Sequence, residues 1–275
     1  MQFSIVIANY NTGAYIERAI RSVLSQSFKD YELIVVDGGS NDNSVEIIRK
    51  YEDNISWWVS EPDKGQSDAF NKGFLHASGD YFLWLNADDL LLPKALEYAS
   101  ISIKKHPSTK WFFGNTIYVD SNDKIVDMSW GCNYSLWVTN RGHIIPSGPT
   151  TFFHRTIFEQ FGPFEVSYHY TMDGDLWRKF ANGGNRFKMI NHFCWVFRLH
   201  EESKTTSVFF GGSNPKVDEE YRKQIIANHV NKKWYVIAYQ KLKRLFFSYP
   251  IQFFGKFLFR GKSIYNTMFW EGAIE

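Results

Sequence analysis

The stretch GDYFLWLNADD at residues 79–89 decides the fold. Five consecutive apolar or aromatic residues, 81–85, predict a strand buried on both faces, as in a parallel sheet. Carboxylates follow at Asp88 and Asp89. Carboxylates at the carboxyl end of such a strand lie where open α/β sheets bind ligands, and their oxygens suit Mg²⁺ or Mn²⁺ holding a diphosphate. The stretch supports equally well a second interpretation, in which they cap a helix that begins near Pro93.

The chain before this stretch repeats a pattern of short apolar strands followed by helices. Predicted strands cover 4–8, 32–36 and 57–59, and predicted helices cover 16–24, 44–51 and 67–77. This alternation predicts βαβ units and a parallel sheet. Successive strands end in clusters rich in Asp, Gly and Ser, among them 37–42 and 60–65. Because parallel strands end at one edge of a sheet, the clusters favour a shared ligand site over a simple helix cap.

The composition is that of a globular protein of 275 residues, enough for one α/β domain or a domain with an extension. A formal net charge of only +2 argues against a nucleic-acid-binding surface over the whole protein. Cys132 and Cys194 form neither a disulfide framework nor a metal-binding spacing, so we expect buried apolar side chains in a reducing compartment. The sequence shows no signal-peptide pattern and no apolar run of transmembrane length. We therefore expect a cytoplasmic protein.

The second half of the chain adds antiparallel strands to the predicted parallel sheet. Strands at 110–119 and 124–128 flank the turn 120–123, which predicts a hairpin and therefore a mixed sheet. The irregular residues 129–149 have the length of a functional lid. Further strands at 151–154, 186–190 and 194–199, and a helix from Asp173 to Gly183, complete the predicted body.

Residues 213–275 differ in character from the rest. From residue 221 to residue 270 there are ten Lys or Arg residues, interleaved with aromatic residues, and no Asp or Glu. Such a pattern predicts a helical extension that lies on an anionic membrane surface. Nucleic acid is the alternative partner, but we favour lipid because no other part of the chain carries a basic motif. A third interpretation, in which the extension is a helix docked back on the body, stays open.

Five segments in order carry a resemblance to a known family. They are SIVIANYN at 4–11, VVDGGSND at 35–42, SEPDKG at 60–65, NKG at 71–73 and LNADD at 85–89. Together they resemble family 2 glycosyltransferases, and within them bacterial enzymes that build O-antigen, colanic-acid-like or exopolysaccharide repeat units. The resemblance covers about residues 3–205. It implies a GT-A fold, with a mixed and mostly parallel sheet flanked by helices, over a catalytic domain of residues 1–212.

The resemblance also implies a nucleotide-sugar donor, usually a UDP-sugar, and inversion at the anomeric carbon. By the same resemblance, Ala8, Asn9 and Tyr10 line the uridine, and Asp37 accepts a hydrogen bond from the uracil edge. Asp63 and Lys64 lie near the nucleotide. Asn86 and Ala87 belong to the donor motif, and Asp88 ligates Mn²⁺ or Mg²⁺.

Two positions depart from the family pattern. Asn86 stands where the family's Asp-any-Asp motif has its first acid, and Gly38 stands where many members have a second Asp. Asn86 can still donate a hydrogen bond to a ribose or phosphate, but it removes one charge, so we expect modest metal affinity. We assign Asp89 to a helix cap.

The segment YTMDGDLWR at 170–178 resembles the family's Glu-Asp motif near the acceptor, with Asp173 in the position of the base. Inversion by single displacement needs one carboxylate that deprotonates the acceptor hydroxyl. We expect Asp175 to be structural. Arg198 and His200 match a late Arg-any-His motif, and we expect them to contact the diphosphate or the metal; a structural role for His200 stays open.

These observations give one principal hypothesis and two alternatives. The principal hypothesis is an inverting glycosyltransferase that moves a sugar from a UDP-sugar to a lipid-linked saccharide, peripheral on the inner face of the cytoplasmic membrane. A non-catalytic nucleotide-sugar or glycan-binding module at the membrane is the first alternative, motivated by Asn86 and Gly38. A nucleotidyltransferase is the second, and the lack of a basic, Gly-rich loop after the first strand argues against it.

Overall fold

The computed structural model describes residues 2–131, 148, 151–201, 203–204, 206, 212–227, 255 and 257–270. Most of the predicted lid at 129–149, including Cys132, lies outside these residues. The same holds for residues 228–254 of the predicted extension. The descriptions below apply to the described residues.

Nine strands form a single sheet with helices on both faces. The strands are β1 (Phe3–Asn9), β2 (Tyr31–Asp37), β3 (Trp57–Ser60), β4 (Tyr81–Asn86), β5 (Leu90–Leu91), β6 (Trp111–Val119), β7 (Ile125–Ser129), β8 (Thr151–His154) and β9 (Phe187–Arg198). The helices are α1 (Ile16–Leu24), α2 (Ser44–Lys50), α3 (Gln66–Leu75), α4 (Ala95–Lys105), α5 (Arg155–Phe161), α6 (Met172–Asn182) and α7 (Pro215–Ala227).

The sheet is mixed, as the sequence predicts. Its order is β3-β2-β1-β4-β8-β6-β9-β5, and β7 pairs with β6. Strands β1 to β4 form a parallel group, whereas β8 runs antiparallel to both β4 and β6. The β6–β7 hairpin is confirmed. The two predicted closing strands are a single strand, β9, which pairs in parallel with β6 through register shifts near Asn115.

The aromatic residues explain how α6 is held on the sheet. Trp177 of α6 packs against Trp84 of β4 and Trp111 of β6, with ring centroids 5.2 Å apart in both pairs. All three side chains are buried. Offset aromatic stacking adds about 0.5–1.5 kcal/mol per pair to the burial of the rings. This packing holds the middle of α6 against β4 and β6.

The last described segment, 257–270, packs on the edge of the body. Its backbone forms a bridge from Ser263 to Lys124, and Ile264 is fully buried. Phe259 and Phe269 pack against the same apolar cluster. This part of the predicted extension is therefore docked on the body. No helix in the described part of the chain has the length and apolarity needed to cross a bilayer.

Candidate active site

The carboxyl ends of the parallel strands open into one cavity of about 920 Å³, within the usual size range of ligand pockets. It brings together most of the residues that the sequence predicts for the site: Ala8, Asn9, Tyr10, Asp63, Asn86, Ala87, Asp88, Asp173 and His200. Within the described residues, three predicted members lie off the cavity wall: Asp37, Lys64 and Arg198.

Asp37 lies beneath the cavity and connects three strand ends. Its fully buried carboxylate accepts hydrogen bonds of 2.6 Å from the Asn9 amide and from the Ser60 hydroxyl, and further bonds from the Ser40 hydroxyl and from two backbone N–H groups. Burial raises the pKa of Asp37, but these hydrogen bonds outweigh it, so the pKa is below its usual value. The contact with a uracil edge stays a prediction. The role that the geometry shows is to hold Asn9 and the β2 end in place.

The glycine at position 38 makes room for the carboxylate of Asp63. A Cβ atom added at Gly38 would lie 2.6 Å from Asp63 Oδ2, too close for the two to coexist. The Asp63 carboxylate accepts a 2.7 Å hydrogen bond from the backbone of Gly65 and lines the cavity. Asp63 therefore occupies the space that a side chain at position 38 would fill. The exposed side chain of Lys64 lies outside the cavity wall, so its predicted place beside the nucleotide is not observed.

The assignment of Asp89 to a helix cap is wrong. Helix α4 begins at Ala95, with Lys94 at its N-cap. Asp89 is buried, and its carboxylate accepts hydrogen bonds from the Asn86 amide at 3.0 Å and from the backbone N–H of Arg198 at 2.9 Å. Burial raises the pKa of Asp89 well above its usual value. Asp89 thus connects the ends of β4 and β9.

Asn86 uses both ends of its amide within the protein. Its Nδ2 donates to Asp89, and its Oδ1 accepts a hydrogen bond from the Gln66 amide at the start of α3. An amide fits this position because it can donate to the buried carboxylate, which a second carboxylate could not do without binding a proton. The departure from the family pattern is therefore matched to its neighbours.

Asp88 and His200 form a hydrogen bond at the wall of the cavity. The distance from His200 Nε2 to Asp88 Oδ2 is 2.9 Å. The side chain of His200 is 8% exposed and that of Asp88 is 21% exposed, so the carboxylate is open to a ligand. The sequence predicts both residues at the metal, and the structure brings them together from positions 112 residues apart.

Arg198 lies off the cavity wall and is bound to other groups of the protein, and its contact with the diphosphate stays a prediction. Its side chain is buried and forms an ion pair with Asp123, which also pairs with Arg18. Its Nε donates a 2.8 Å hydrogen bond to the backbone carbonyl of Asp88. Arg198 therefore holds Asp88 in place from beneath the cavity.

Asp173 lies in the first turn of α6 and lines the cavity. Its two carboxylate oxygens accept hydrogen bonds from the backbone of Gly148 at 2.8 Å and of Gly174 at 2.7 Å. Burial raises the pKa of Asp173, and these hydrogen bonds offset part of that rise. A carboxylate with a raised pKa is a better general base near neutral pH. Asp175, in contrast, is buried and forms a 2.8 Å ion pair with Lys179, as expected of a structural residue.

A comparison with protein families decides what kind of protein this is. The model of the family described as Glycosyl transferase family 2 matches residues 4–159, more than half of the chain. This chain belongs to that family. The matched part contains the ends of β1 to β4, which line the cavity, but it ends before Asp173.

Individual members of the family show moderate similarity. An uncharacterized glycosyltransferase of Rickettsia typhi is 32% identical over 217 residues, which cover 74% of this chain and 65% of the relative. A PGL/p-HBAD biosynthesis glycosyltransferase of Mycobacterium bovis is 28% identical over 232 residues, which cover 81% and 83%. A Nostoc glycosyltransferase is 33% identical over 132 residues, 47% of this chain and 41% of the relative. The chain thus spans only part of some of these relatives.

Solved structures show the fold of this family 2 chain. Staphylococcus aureus TarS 1-349 in complex with UDP-GlcNAc superposes with a TM-score of 0.66 and 19% identity, over 85% of this chain and 68% of TarS. A Pyrobaculum calidifontis mannosyltransferase in complex with GDP-Man and Mn²⁺ gives a TM-score of 0.57 and 16% identity, over 90% and 82%. The chain has the GT-A fold that the resemblance predicts.

The pair Asp88–His200 consists of two residue types that bind divalent cations in proteins. Their 2.9 Å contact is a hydrogen bond, and an ion bound between them would replace it. Within the described residues, no group of three or more His, Cys, Asp or Glu side chains is arranged to hold a metal. A metal ion held by Asp88 and His200 would take its other ligands from substrate oxygens and water, as is common for Mg²⁺ with phosphates.

Gln66 and Lys204 are among the cavity residues that sequence reasoning did not assign. Gln66, at the start of α3, lines the cavity and binds Asn86. Lys204 also lines it and donates a 3.3 Å hydrogen bond to the backbone carbonyl of His169. The sequence signal for Lys204 was its position four residues after His200, because Lys204 and His200 both follow β9 and reach the same edge of the sheet.

Proposed function

We propose that this chain is an inverting glycosyltransferase that transfers a sugar from a UDP-sugar to a hydroxyl group of a lipid-linked saccharide. The observation that carries the proposal is a single cavity that contains both a carboxylate with a raised pKa, Asp173, and the pair Asp88–His200. A base and a diphosphate site in one cavity are what a single displacement with inversion requires. Family membership supports the reaction class.

The donor nucleotide is assigned to the ends of β1, β2 and β3. Ala8, Asn9 and Tyr10 follow β1 and Asp63 follows β3, and all four line the cavity. The choice of UDP rests on the structural similarity to TarS, which has been solved with UDP and with UDP-GlcNAc. The diphosphate then points toward the β4 end, where Asp88 and His200 would hold Mn²⁺ or Mg²⁺. Such an ion supplies positive charge that offsets the charge of the leaving diphosphate.

Asp173 acts on the acceptor side. The acceptor oxygen attacks the anomeric carbon while the bond between that carbon and the diphosphate oxygen breaks, and the acceptor proton passes to the Asp173 carboxylate. The hydrogen bonds from Gly148 and Gly174 hold both oxygens of this carboxylate in one orientation. Its raised pKa makes it a stronger proton acceptor than an exposed aspartate.

The experiment is a donor screen on the full chain. UDP release is measured with UDP-glucose, UDP-galactose and UDP-N-acetylglucosamine, and binding of UDP is measured by calorimetry, each with Mn²⁺ and with a chelator. We expect UDP to bind, Mn²⁺ to tighten binding modestly and at least one donor to be turned over. UDP binding without metal dependence, together with no transfer to any lipid-linked acceptor, would favour the non-catalytic binding module. Release of pyrophosphate from UTP and a sugar 1-phosphate, in a parallel assay, would instead indicate a nucleotidyltransferase.

We further propose that the C-terminal segment contacts an anionic membrane that carries the acceptor. Phe257, Leu258 and Met268 are exposed on this segment, beside the exposed Arg260 and Lys262. Apolar side chains next to cations are typical of proteins that bind at a membrane interface.

The test of this surface is sedimentation with liposomes that contain phosphatidylserine. Substituting Phe257 and Leu258 by Ser should abolish sedimentation while UDP binding stays unchanged. Leu75→Ser, at an equally exposed site on α3, is the matched control. Unchanged sedimentation of the double variant would contradict a membrane role for this surface.

A further inference from the structure

Over residues 215–224, the part of helix α7 whose side chains the structure describes, the face toward the body contains polar residues beside the half-buried Val217. Glu220 and Tyr221 are half-buried on this face and Gln224 is fully buried, whereas Glu219 and Lys223 are exposed. Residues three and four apart share one side of a helix. A helix that docks for stability alone usually buries an apolar stripe. The contacts of these polar residues therefore indicate what α7 does.

Glu220 binds the three residues that lead into α6. Its Oε1 accepts a hydrogen bond from the backbone N–H of His169 at 2.9 Å. Its Oε2 accepts hydrogen bonds from the N–H of Tyr170 at 2.8 Å, the N–H of Thr171 at 3.1 Å and the Thr171 hydroxyl at 3.2 Å. Thr171 is the N-cap residue of α6. A carboxylate that gathers the donors at a helix N-terminus satisfies them and also interacts favourably with the helix dipole.

Gln224 makes a second connection from α7 to α6. Its amide nitrogen donates to the backbone carbonyl of Thr171 at 2.6 Å, and its oxygen accepts a hydrogen bond from Arg178. The guanidinium of Arg178 also lies 5.3 Å from the centre of the Tyr221 ring. Helix α7 thus holds α6 at Thr171 and at Arg178, on either side of Asp173 in the sequence.

The residues held by Glu220 are part of the cavity. His169 and Tyr170 line it, and Asp173 follows Thr171 by two residues. We propose that Glu220 is a positioning residue for the transfer reaction, which fixes residues 169–171 and thereby places Asp173 against the acceptor hydroxyl. This inference rests on the proposed function. It extends the site into a helix that lies beyond the matched residues 4–159.

The test compares Glu220→Gln with Glu219→Gln. The amide introduced by Glu220→Gln has the size of the carboxylate but only one acceptor oxygen, so its NH₂ group would face a backbone N–H. Glu219 is the adjacent residue on the same helix, and its exposed side chain pairs with Lys223. Both variants remove one negative charge, but only Glu220→Gln removes hydrogen bonds to residues 169–171.

Turnover is measured as UDP release from the donor that the wild type uses best, and UDP affinity is measured by calorimetry. We expect Glu220→Gln to lower kcat about 10- to 100-fold, because a displacement of a catalytic group by about 1 Å can lower the rate 10²-fold. KM for the donor and Kd for UDP should stay within about threefold of the wild-type values. Glu219→Gln should retain the wild-type kcat. Glu220→Asp, which keeps both oxygens, should recover part of the lost kcat.

Amide hydrogen exchange of the unliganded protein provides a readout that does not depend on the reaction. Exchange of residues 169–174 should accelerate in Glu220→Gln and not in Glu219→Gln, while residues 157–161 of α5 stay unchanged. The proposal is overturned by a wild-type kcat in Glu220→Gln, by equal losses of kcat and UDP affinity, or by unchanged exchange at 169–174. A wild type that binds UDP but turns over no donor would instead refute the proposed function, and the exchange measurement would still decide whether Glu220 holds this segment.

Discussion

Replacing Asn86 by Asp tests why this chain departs from the family pattern at the end of β4. The Asn86 Nδ2 donates to the buried Asp89 carboxylate at 3.0 Å. Asn86→Asp would put two carboxylate oxygens at that distance. It would also remove a hydrogen bond to a charged group, worth about 1.5–3 kcal/mol.

Like-charge repulsion adds to this loss. At 3.0 Å and an effective dielectric constant of about 20, two unit charges repel by about 5–6 kcal/mol. Binding of one proton by the pair limits this cost, so we expect a net destabilisation of about 2–4 kcal/mol at pH 8. For a chain of this size, that corresponds to a fall in Tm of roughly 5–15 °C.

The destabilisation should depend on pH with a definite sign. The pair has a pKa in the folded state that is raised above that of the unfolded state, so the folded protein retains a proton that the unfolded protein has released. The cost is therefore full above the raised pKa and disappears as the pH falls toward the ordinary value of about 4. The deficit in Tm should be clearly smaller at pH 5 than at pH 8.

The assay is thermal unfolding followed by circular dichroism, in a chelator, at both pH values. Asn266→Asp is the matched control, because it makes the same chemical change at an exposed position. It should unfold like the wild type at both pH values. If Asn86→Asp matches the wild type at pH 8 without metal, the account of Asn86 as the partner of a buried Asp89 carboxylate is refuted.

Three further predictions concern other parts of the site. Arg198→Met should lower the free energy of unfolding by about 3–5 kcal/mol in urea titrations, because it removes one partner of a buried ion pair. The control variant Lys223→Met removes one partner of an exposed ion pair and should unfold as the wild type does. Equal stability of the two variants would contradict a structural role for Arg198. Gly38→Ala should weaken UDP binding about tenfold in calorimetry, because its Cβ would displace the Asp63 carboxylate. The control variant Gly184→Ala, in an exposed turn, should bind UDP as the wild type does. Unchanged UDP binding by Gly38→Ala would contradict the assignment of Asp63 to the donor site. Burial raises the pKa of Asp173, so kcat/KM for UDP release should begin to fall with decreasing pH at a pH above the ordinary aspartate pKa of about 4. Full activity at pH 4 would show that another group is the base.

The sequence predicts the parallel half of the sheet and the place of the cavity because both depend on local patterns. Apolar runs such as 81–85 predict strands, and polar clusters after them predict an edge where ligands bind. The resemblance added Asp173, which no local pattern connects with residues 8–10. The structure brings these residues to one cavity.

The features that the sequence analysis did not predict involve contacts between distant residues. Asp89 resembles a helix cap in the sequence, but it accepts a hydrogen bond from Arg198, 109 residues away. Arg198 itself turns toward Asp123 instead of the cavity, and nothing near it in the sequence indicates the direction of its side chain. The polar residues 191–192 look like a break between two strands, although β9 continues through them with a shift in its register against β6. Tertiary contacts decide all three cases.

The most direct test of the account is UDP release by Asp173→Asn. With the donor that the wild type uses best, removing the general base should lower kcat by about 10²–10⁴-fold. Calorimetry should give a Kd for UDP within about threefold of the wild type, since the donor side of the cavity is unchanged. A variant that releases UDP at the wild-type rate would contradict the assignment of Asp173 as the base and, with it, the proposed mechanism.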